Sequence, residues 1–554
     1  MRISRVYIKN FRSIKEVEFH FPESGLMVLV GANNAGKSNI VKVINNILGE
    51  GWWGKDVDPV DFYMRKPENT IEVIIEFDNG RKVEFSSGEK SWPKYFDENG
   101  NQIWSSRGNV KEDFPCIYLP AQRDISLMLS FYKWTLMGKI SRSFNKLVKD
   151  RNLTENLEEK FGEIMEIFDK IDNFKQFKED VKVFFEDLQP DASHKLKIDF
   201  KPFTPLNYFK TINILVNDKI LGDDYDIDIE ELGEGSRNLI ILSLLRSYAK
   251  NFKQEAQGLL IIEEPEIYMH PQARRHLLHI FKEIVRGSNI QIIITTHSSS
   301  FIETEYFENI AIVYKTLENG TRIKQVTKEE LVRFSNDTGA RGQSTGDNIT
   351  EFYAITSNER LKEAFFAKFL ILVEGETEEL CFPVFLRKIG IDPDKTGISA
   401  IGVGGKTQIP KYWRLFHKFE IPMFIVMDND VNKPQEERNN QIIADCFNID
   451  VRDIENINKI FEIFKGGFSQ KLLVFKANIE TALKEDFSKY CENNGRENKY
   501  SELENKAGSL GLRKGQKLRF IVNAIFNDYP DYTPKFLEET KSILEEVFNH
   551  DEAG

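Results

Sequence analysis

An α/β fold is predicted for this 554-residue chain by the character of its apolar runs and by where they end. The runs are short, nearly continuous and rich in Ile, Leu and Val, as strands buried on both faces of a parallel sheet must be. They alternate with stretches of helical period. Several also end in glycine or in an acid: LMVLV before Gly31, GLLII before Glu263, FLILV before Glu374 and IPMFIVM before Asp428. Ligands of such sheets gather at the carboxyl ends of the strands, so chemistry is expected there.

The length predicts about three or four domains of ordinary size. A composition of 41% hydrophobic, 29% charged and 12% aromatic residues is that of a folded protein rather than a disordered one. The four cysteines have no CxxC spacing, and the eight histidines include no HxxxH or HExxH pair. This reads as a reduced compartment without structural zinc. No apolar run approaches the roughly 20 residues of a membrane span, and MRISRVYIKNF lacks a signal-peptide core, so no membrane and a cytoplasmic location are expected. A net charge of −12 argues against attraction of nucleic acid by the whole surface but leaves room for a basic groove.

LMVLVGANNAGKSNIVKVINNIL places an apolar strand, a glycine loop and an amphipathic helix in succession. GxxxxGKS is met in full by Gly31, Gly36, Lys37 and Ser38, the pattern of a loop whose backbone N–H groups close on ATP phosphates. Lys37 is expected to reach the β/γ oxygens and Ser38 to bind Mg2+, with Asn33 and Asn39 as further cofactor contacts. GLLIIEEPE supplies the acids such a site needs: Glu263 for Mg2+ and Glu264 to orient water. NIQIIITTHSS is a further apolar strand ending in His297, placed to sense a γ-phosphate.

These motifs resemble the ABC-type ATPases of the SMC and RecF kind, together with the opening ISRVYIKNFRSIKEVEF and with LGEGSRNLIILSLL at the signature position. The resemblance implies that two heads sandwich ATP, with Gly233, Gly235 and Ser236 at a helix start facing the P-loop of the second copy. It also offers Gln122 as a Q-loop residue. Between the two parts of the head, apolar residues from Leu153 to Leu188 recur at spacings of three and four. Such a seam must be buried, either against the ATPase core or as an arm that pairs two copies. The segment SNDTGARGQSTGDN, Ser335 to Asn348, has the composition of a linker.

In the last third, Glu374 follows one apolar strand, Asp428 and Asp430 follow another, and KLLVFKANIE leads toward Glu480. In an extended strand end Asp428 and Asp430 project to one side, so both can face one Mg2+. Oxygen ligands without a His or Cys cluster suit Mg2+, Mn2+ or Ca2+. A Glu after a first strand and DxD after a later one is similar to the Toprim pattern. With the ATPase in front, nearly the whole chain resembles the OLD (overcoming lysogenization defect) family of nucleases, which includes the large subunit of the Gabija anti-phage system.

The resemblance implies an ABC-type ATPase head with a helical insert followed by a Toprim parallel α/β domain. The expected division is 1–122 and 193–334 for the head, 123–192 for the insert, 335–362 for the linker and 363–554 for the Toprim domain. Carried over onto this chain, the metal and catalytic set is Glu374, Glu378, Asp428, Asp430 and Glu480, with Lys517 as the catalytic cation and Lys514 as its rival. Glu376 and Glu379 are read as solvated acids. Lys506, Arg513, Lys514, Lys517 and Arg519 form a candidate DNA patch. The expected function is an ATP-regulated, divalent-metal-dependent DNA endonuclease that forms a homodimer or higher homo-oligomer, with a helicase-like protein as a candidate partner. The alternative is a DNA-binding ATPase with a non-cleaving Toprim domain.

Overall fold

The computed structural model describes the chain apart from 50–56, 89–91, 104–112, 122–129, 132–134, much of 152–225, 252–256, 268, 341–343, 431–432, 434–435, 451–458, 466–467 and 554. Among the described residues, eight strands precede the expected insert: β1 (Ile3–Phe11), β2 (Ile14–His20), β3 (Leu26–Val30), β4 (Glu72–Phe77), β5 (Lys82–Ser86), β6 (Lys94–Phe96), β7 (Gln102–Ile103) and β8 (Cys116–Leu119). A small hairpin of β9 (Leu215–Asn217) and β10 (Asp226–Asp228) stands apart. After it come β11 (Gln257–Glu263), β12 (Asn289–Thr296), β13 (Ile310–Thr316) and β14 (Gly320–Lys324). Twelve of these strands form one sheet in the order β7-β6-β5-β4-β1-β2-β14-β13-β3-β12-β11-β8.

Pairing within this sheet follows the residue pattern. β3 is wholly apolar, β11 and β12 carry runs of Leu and Ile between polar ends, and the three pair in parallel and are buried almost throughout. β2 alternates buried and exposed residues and pairs with β1 antiparallel, as a strand with one solvated face should. Helix α1 (Lys37–Leu48) follows the glycine loop and buries Ile40, Val43, Ile44 and Ile47 on the predicted face. Of the insert, α2 (Leu136–Asp150) is described in full, its first turn capped by the Thr135 hydroxyl, which accepts from the Gly138 N–H. The Leu153 to Leu188 seam falls largely outside the described residues, and so does Gln122. Helices α3 (Glu234–Asn251) and α4 (Pro271–Gly287) complete this half.

The second sheet has the order β16-β15-β17-β19-β18, from β15 (Phe369–Val373), β16 (Ile398–Gly402), β17 (Met423–Asp428), β18 (Lys459–Lys465) and β19 (Phe468–Phe475). All neighbours are parallel except the β18–β19 edge pair.

The described residues of the expected linker, 335–362, are packed into the fold. They contain the end of α5 (Lys328–Asp337) and all of α6 (Gly346–Thr356). Helices α7 (Glu376–Lys388), α8 (Ile409–Lys418) and α9 (Glu437–Phe447) follow around the second sheet. The buried Arg414 guanidinium of α8 donates to the Thr338 hydroxyl and carbonyl, both at 2.7 Å, and so fastens the segment to this half. Tyr353 of α6 packs edge-on to Phe307 of the first half at 6.2 Å and against Tyr412 of α8 at 5.5 Å. Its hydroxyl donates to the Lys411 carbonyl at 2.9 Å. One apolar core therefore runs from β3 and β12 through Tyr353 to β15 and β17. Helices α10 (Ile479–Asn493), α11 (Tyr500–Ser509), α12 (Lys514–Asp528) and α13 (Lys535–Ala553) cover the other face of the second sheet.

Because Tyr353 is a buried aromatic shared by both halves, Tyr353→Ala is expected to cost about 3–5 kcal/mol. Tyr353→Phe, which loses only the hydrogen bond, should cost about 1 kcal/mol. Urea unfolding followed by tryptophan fluorescence would read both as shifts of the midpoint.

Candidate active sites

The first site lies where β3, β11 and β12 end side by side. At Gly36 the backbone is left-handed (φ 109), and a Cβ there would collide with the Thr321 side chain, so glycine is required. Lys37 is buried and turned back on its own loop. Its ammonium donates to the Gly31 carbonyl at 2.8 Å and the Ala32 carbonyl at 3.0 Å, and lies 3.0 Å from His297 Nε2. Burial pushes its pKa down to about 8 against the opposing pull of Glu264, Glu266 and Glu263. Burial and then Lys37 lower the pKa of His297, which favours a neutral ring able to accept from the lysine. Ser38 and Asn33 are exposed at the loop, and Asn39 donates to the Ser13 hydroxyl at 2.7 Å.

Glu263 closes β11 and accepts from the Tyr118 hydroxyl at 2.7 Å. Glu264 takes a left-handed backbone (φ 44) that turns its side chain toward His297 Nε2, 3.9 Å away. The next acid, Glu266, was not singled out in the sequence. It is buried and accepts from the Thr296 hydroxyl at 2.6 Å and the His297 N–H at 2.9 Å, fixing the backbone that carries the histidine. Its signal was legible as the last residue of Glu263-Glu264-Pro265-Glu266. Gly235 and Ser236 stand in the first turn of α3, with Ser236 exposed, where a helix has free N–H groups.

The second site lies at the carboxyl ends of β15 and β17. Glu374 follows β15 directly, and its Oε2 is buried with no hydrogen-bond partner among the described residues. Glu378, 4% exposed in the first turn of α7, accepts from the Gly375 N–H at 3.0 Å. Asp428 ends β17 at 7% exposure, and its Oδ1 likewise has no partner among the described residues. Glu480, in the first turn of α10, receives Lys514 Nζ at 2.9 Å from the start of α12. That helix packs closely on α7, since a Cβ at Gly515 would lie 3.1 Å from Thr377 Cα.

The electrostatics bind these four carboxyls into one pocket. Burial and then Glu374 and Glu480 push Glu378 up to about 7. Burial and then Glu378, Glu374 and Glu480 hold Asp428 well above the carboxylate range. Burial also raises Glu374, with Lys406 opposing. Among the described residues, no three His, Cys, Asp or Glu side chains stand together so as to hold a metal ion.

Three expectations change here. β17 stops at Asp428, and Asp430 has a left-handed backbone (φ 54), so the two aspartates do not share an extended strand end. Asp430 is instead held by Lys433 at 2.9 Å and the buried Lys406 at 3.6 Å. Glu379 is not solvated: it pairs with Arg360 at 2.7 Å and accepts from the Gly402 N–H at 3.2 Å, whereas Glu376 is exposed as expected. It is Lys514 that meets Glu480; among the described residues no ion pair brings Lys517 to the pocket. Lys406, also not singled out, follows Gly404 and Gly405 and contacts Asn440 at 3.1 Å and Glu436 at 3.4 Å.

The family described as AAA ATPase domain matches residues 1–112 and 87–302, and that described as overcoming lysogenization defect protein-like, TOPRIM domain, matches residues 365–430. The OLD nuclease of Thermus scotoductus is 24% identical over 80% of this chain and 88% of its own length. The Old nuclease of Escherichia phage P2 is 24% identical over 92% and 91%. Endonuclease GajA of Bacillus cereus strain VD045 is 22% identical over 79% and 76%. With more than half of its length matched by the first family and the P-loop, paired acids and strand-end histidine all in place, the chain belongs to the AAA ATPase domain family, and it carries an OLD-like TOPRIM domain behind that ATPase.

Proposed function

We propose that this protein is an ATP-regulated, divalent-metal-dependent DNA endonuclease acting in anti-phage defence or DNA processing, a reading supported by its likeness to proteins named OLD nuclease and endonuclease GajA. The observation that carries the reading is the cluster of four carboxyls, with Glu378 and Asp428 buried and Glu374 and Glu480 half-buried, in which Glu374 Oε2 and Asp428 Oδ1 have no partner among the described residues. Burying acids this way is costly unless a cation completes them. An all-oxygen donor set fits Mg2+, Mn2+ or Ca2+, and Glu374, Glu378, Asp428 and Glu480 would hold it. Asp430 borders the same pocket, tied to Lys406 and Lys433. A bound divalent ion would supply the Lewis acidity that phosphodiester hydrolysis needs.

The chain's own groups do the rest. Lys514 stands at the pocket and can place positive charge against a DNA phosphate, a part for which Lys517 is the second candidate. In the ATPase, Lys37 would exchange its carbonyl partners for nucleotide phosphates, Ser38 and Glu263 would hold Mg2+, Glu264 would orient water, and His297 would report the γ-phosphate. Gly235 and Ser236 would serve the P-loop of a second copy, which makes a homodimer or larger homo-oligomer part of the proposal. A helicase-like partner and a cytoplasmic setting belong to the same reading. The intact acid set disfavours a non-cleaving Toprim domain.

Plasmid cleavage by the purified protein in Mg2+ or Mn2+, with and without ATP, tests this directly. Asp428→Ala and Glu374→Ala should reduce cleavage to background while ATP still binds; full activity in either would remove the assignment. Lys514→Ala should slow cleavage about 100- to 1,000-fold, and the same loss in Lys517→Ala alone would transfer the role.

The ATPase roles are tested apart from DNA. Lys37→Ala should weaken ATP binding about 10- to 150-fold, the loss of one charged hydrogen bond. Glu264→Gln should bind ATP normally yet hydrolyse it about 100- to 10,000-fold more slowly, as loss of the group that orients and polarises water predicts.

The raised carboxyl pKa values predict a pH dependence in metal-free protein. A carboxyl whose folded pKa lies above its unfolded value stabilises the fold at low pH and loses that contribution as pH rises through the folded value, here from about 4.5 to about 7 for Glu378. Glu378→Gln removes the carboxyl that gives up its proton over that range. In EDTA its stability relative to the natural protein should therefore rise between pH 5 and pH 8 by about 1–3 kcal/mol. Urea unfolding would measure it, and Ca2+ should favour the protein that keeps Glu378.

A further inference from the structure

Strand β14 has the nucleotide loop on one face and the Toprim domain on the other. On the first face, the buried Thr321 hydroxyl donates to the Ala35 carbonyl at 2.9 Å and lies 2.7 Å from the Ser13 hydroxyl. The Thr321 N–H donates to the Ser13 carbonyl at 2.7 Å, and Gly36 of the loop packs on this threonine with no room for a Cβ. Successive side chains of a strand point to opposite faces, so Arg322 and Lys324 project away from the loop. On that second face Lys324 Nζ pairs with Glu420 at 2.6 Å. Tyr314, which opposes Arg322 in the β13–β14 register, donates its hydroxyl to the same carboxylate at 3.1 Å.

Glu420 is well placed to pass a displacement on. It has a left-handed backbone (φ 60), with its N–H donating to the His417 carbonyl at 2.9 Å, and so closes α8. Three residues later β17 begins, and its far end is Asp428. β17 lies between β15 and β19, so its position is shared with the strand that leads to Glu374. The Ser335 to Asn348 segment is less suited to this part, because Arg414 fastens Thr338 to the Toprim half.

We propose that Lys324 and Glu420 are the positioning pair through which nucleotide occupancy of the P-loop alters DNA binding at the Toprim pocket. The proposal rests on the functional reading of the two sites and adds the joint between them. When a nucleotide takes Lys37 from the Gly31 and Ala32 carbonyls, the loop shifts against Thr321, β14 moves with it, and Lys324 carries Glu420 and the start of β17. A coupling of ordinary size changes affinity about 5- to 150-fold, and linkage requires DNA to change nucleotide affinity by the same factor.

The test uses the full chain with a short fluorescent DNA duplex in Ca2+. DNA affinity is measured by anisotropy with and without a non-hydrolysable ATP analogue, and analogue affinity with and without DNA. The natural protein should show equal factors in the two comparisons. Lys324→Met and Glu420→Gln should each bring both factors close to one while leaving the affinity for the analogue alone unchanged. The exchanged pair, Lys324→Glu with Glu420→Lys, should restore most of the coupling, which a merely structural role would not do. Coupling that persists in both single variants, or a factor of one in the natural protein, overturns the proposal while leaving the two sites standing. Absence of DNA or analogue binding in the natural protein overturns the functional reading of that site and the joint with it.

Discussion

Charge held out of water without a full set of partners governs the arrangement of both sites. In the Toprim domain, four carboxyls crowd the ends of β15 and β17 and the first turns of α7 and α10, and burial first, then their mutual repulsion, raises the pKa values of Glu378 and Asp428. Only a well-packed scaffold keeps such groups together. The paired strands on each side of β17 and the apolar layers above and below supply it. The P-loop has the complementary situation, a buried ammonium facing three glutamates and meanwhile satisfied by two carbonyls of its own loop. Both sites are thus shaped for a charged visitor, a cation in one and a polyanion in the other.

The two halves reach these opposite ends by one structural principle. In each, parallel strands buried on both faces leave their carboxyl ends as the place where backbone turns, helix starts and short polar side chains gather. The first half uses this to present N–H groups and a lysine, the second to present acids. Glu264 and Asp430 both adopt left-handed backbones just after such strand ends, and at these turns the chain leaves the sheet and redirects a carboxylate.

Much of this was legible in the sequence where the determinants are local. The glycine loop, the buried face of α1 and the apolar strands follow from spacing alone, because each involves residues within a few positions of one another. Glu374 and Asp428 were legible for the same reason. What could not be read were contacts set by tertiary packing. Glu379 finds Arg360 and the Gly402 N–H only because α7 lies beside β16. Asp430 turns away from an extended path to meet Lys406 and Lys433. The glycine- and serine-rich stretch from Ser335 looked like a tether, yet its Thr338 is buried against Arg414, a partner 76 residues away.

The continuous core through Tyr353 and the two-sided strand β14 also bear on modularity. Proteins that join an ATPase to a second catalytic unit invite the picture of exchangeable cassettes, cut and spliced at a glycine-rich seam. Here a splice at that seam would leave Tyr314 and Lys324 with one parent and Glu420 with the other, and would pair a foreign ring with Phe307. Exchange of either unit of this chain is therefore constrained by more than the reading frame. β14, α6 and the close of α8 form a compatibility region, and substitutions in one half of it are tolerated according to what the other half already contains.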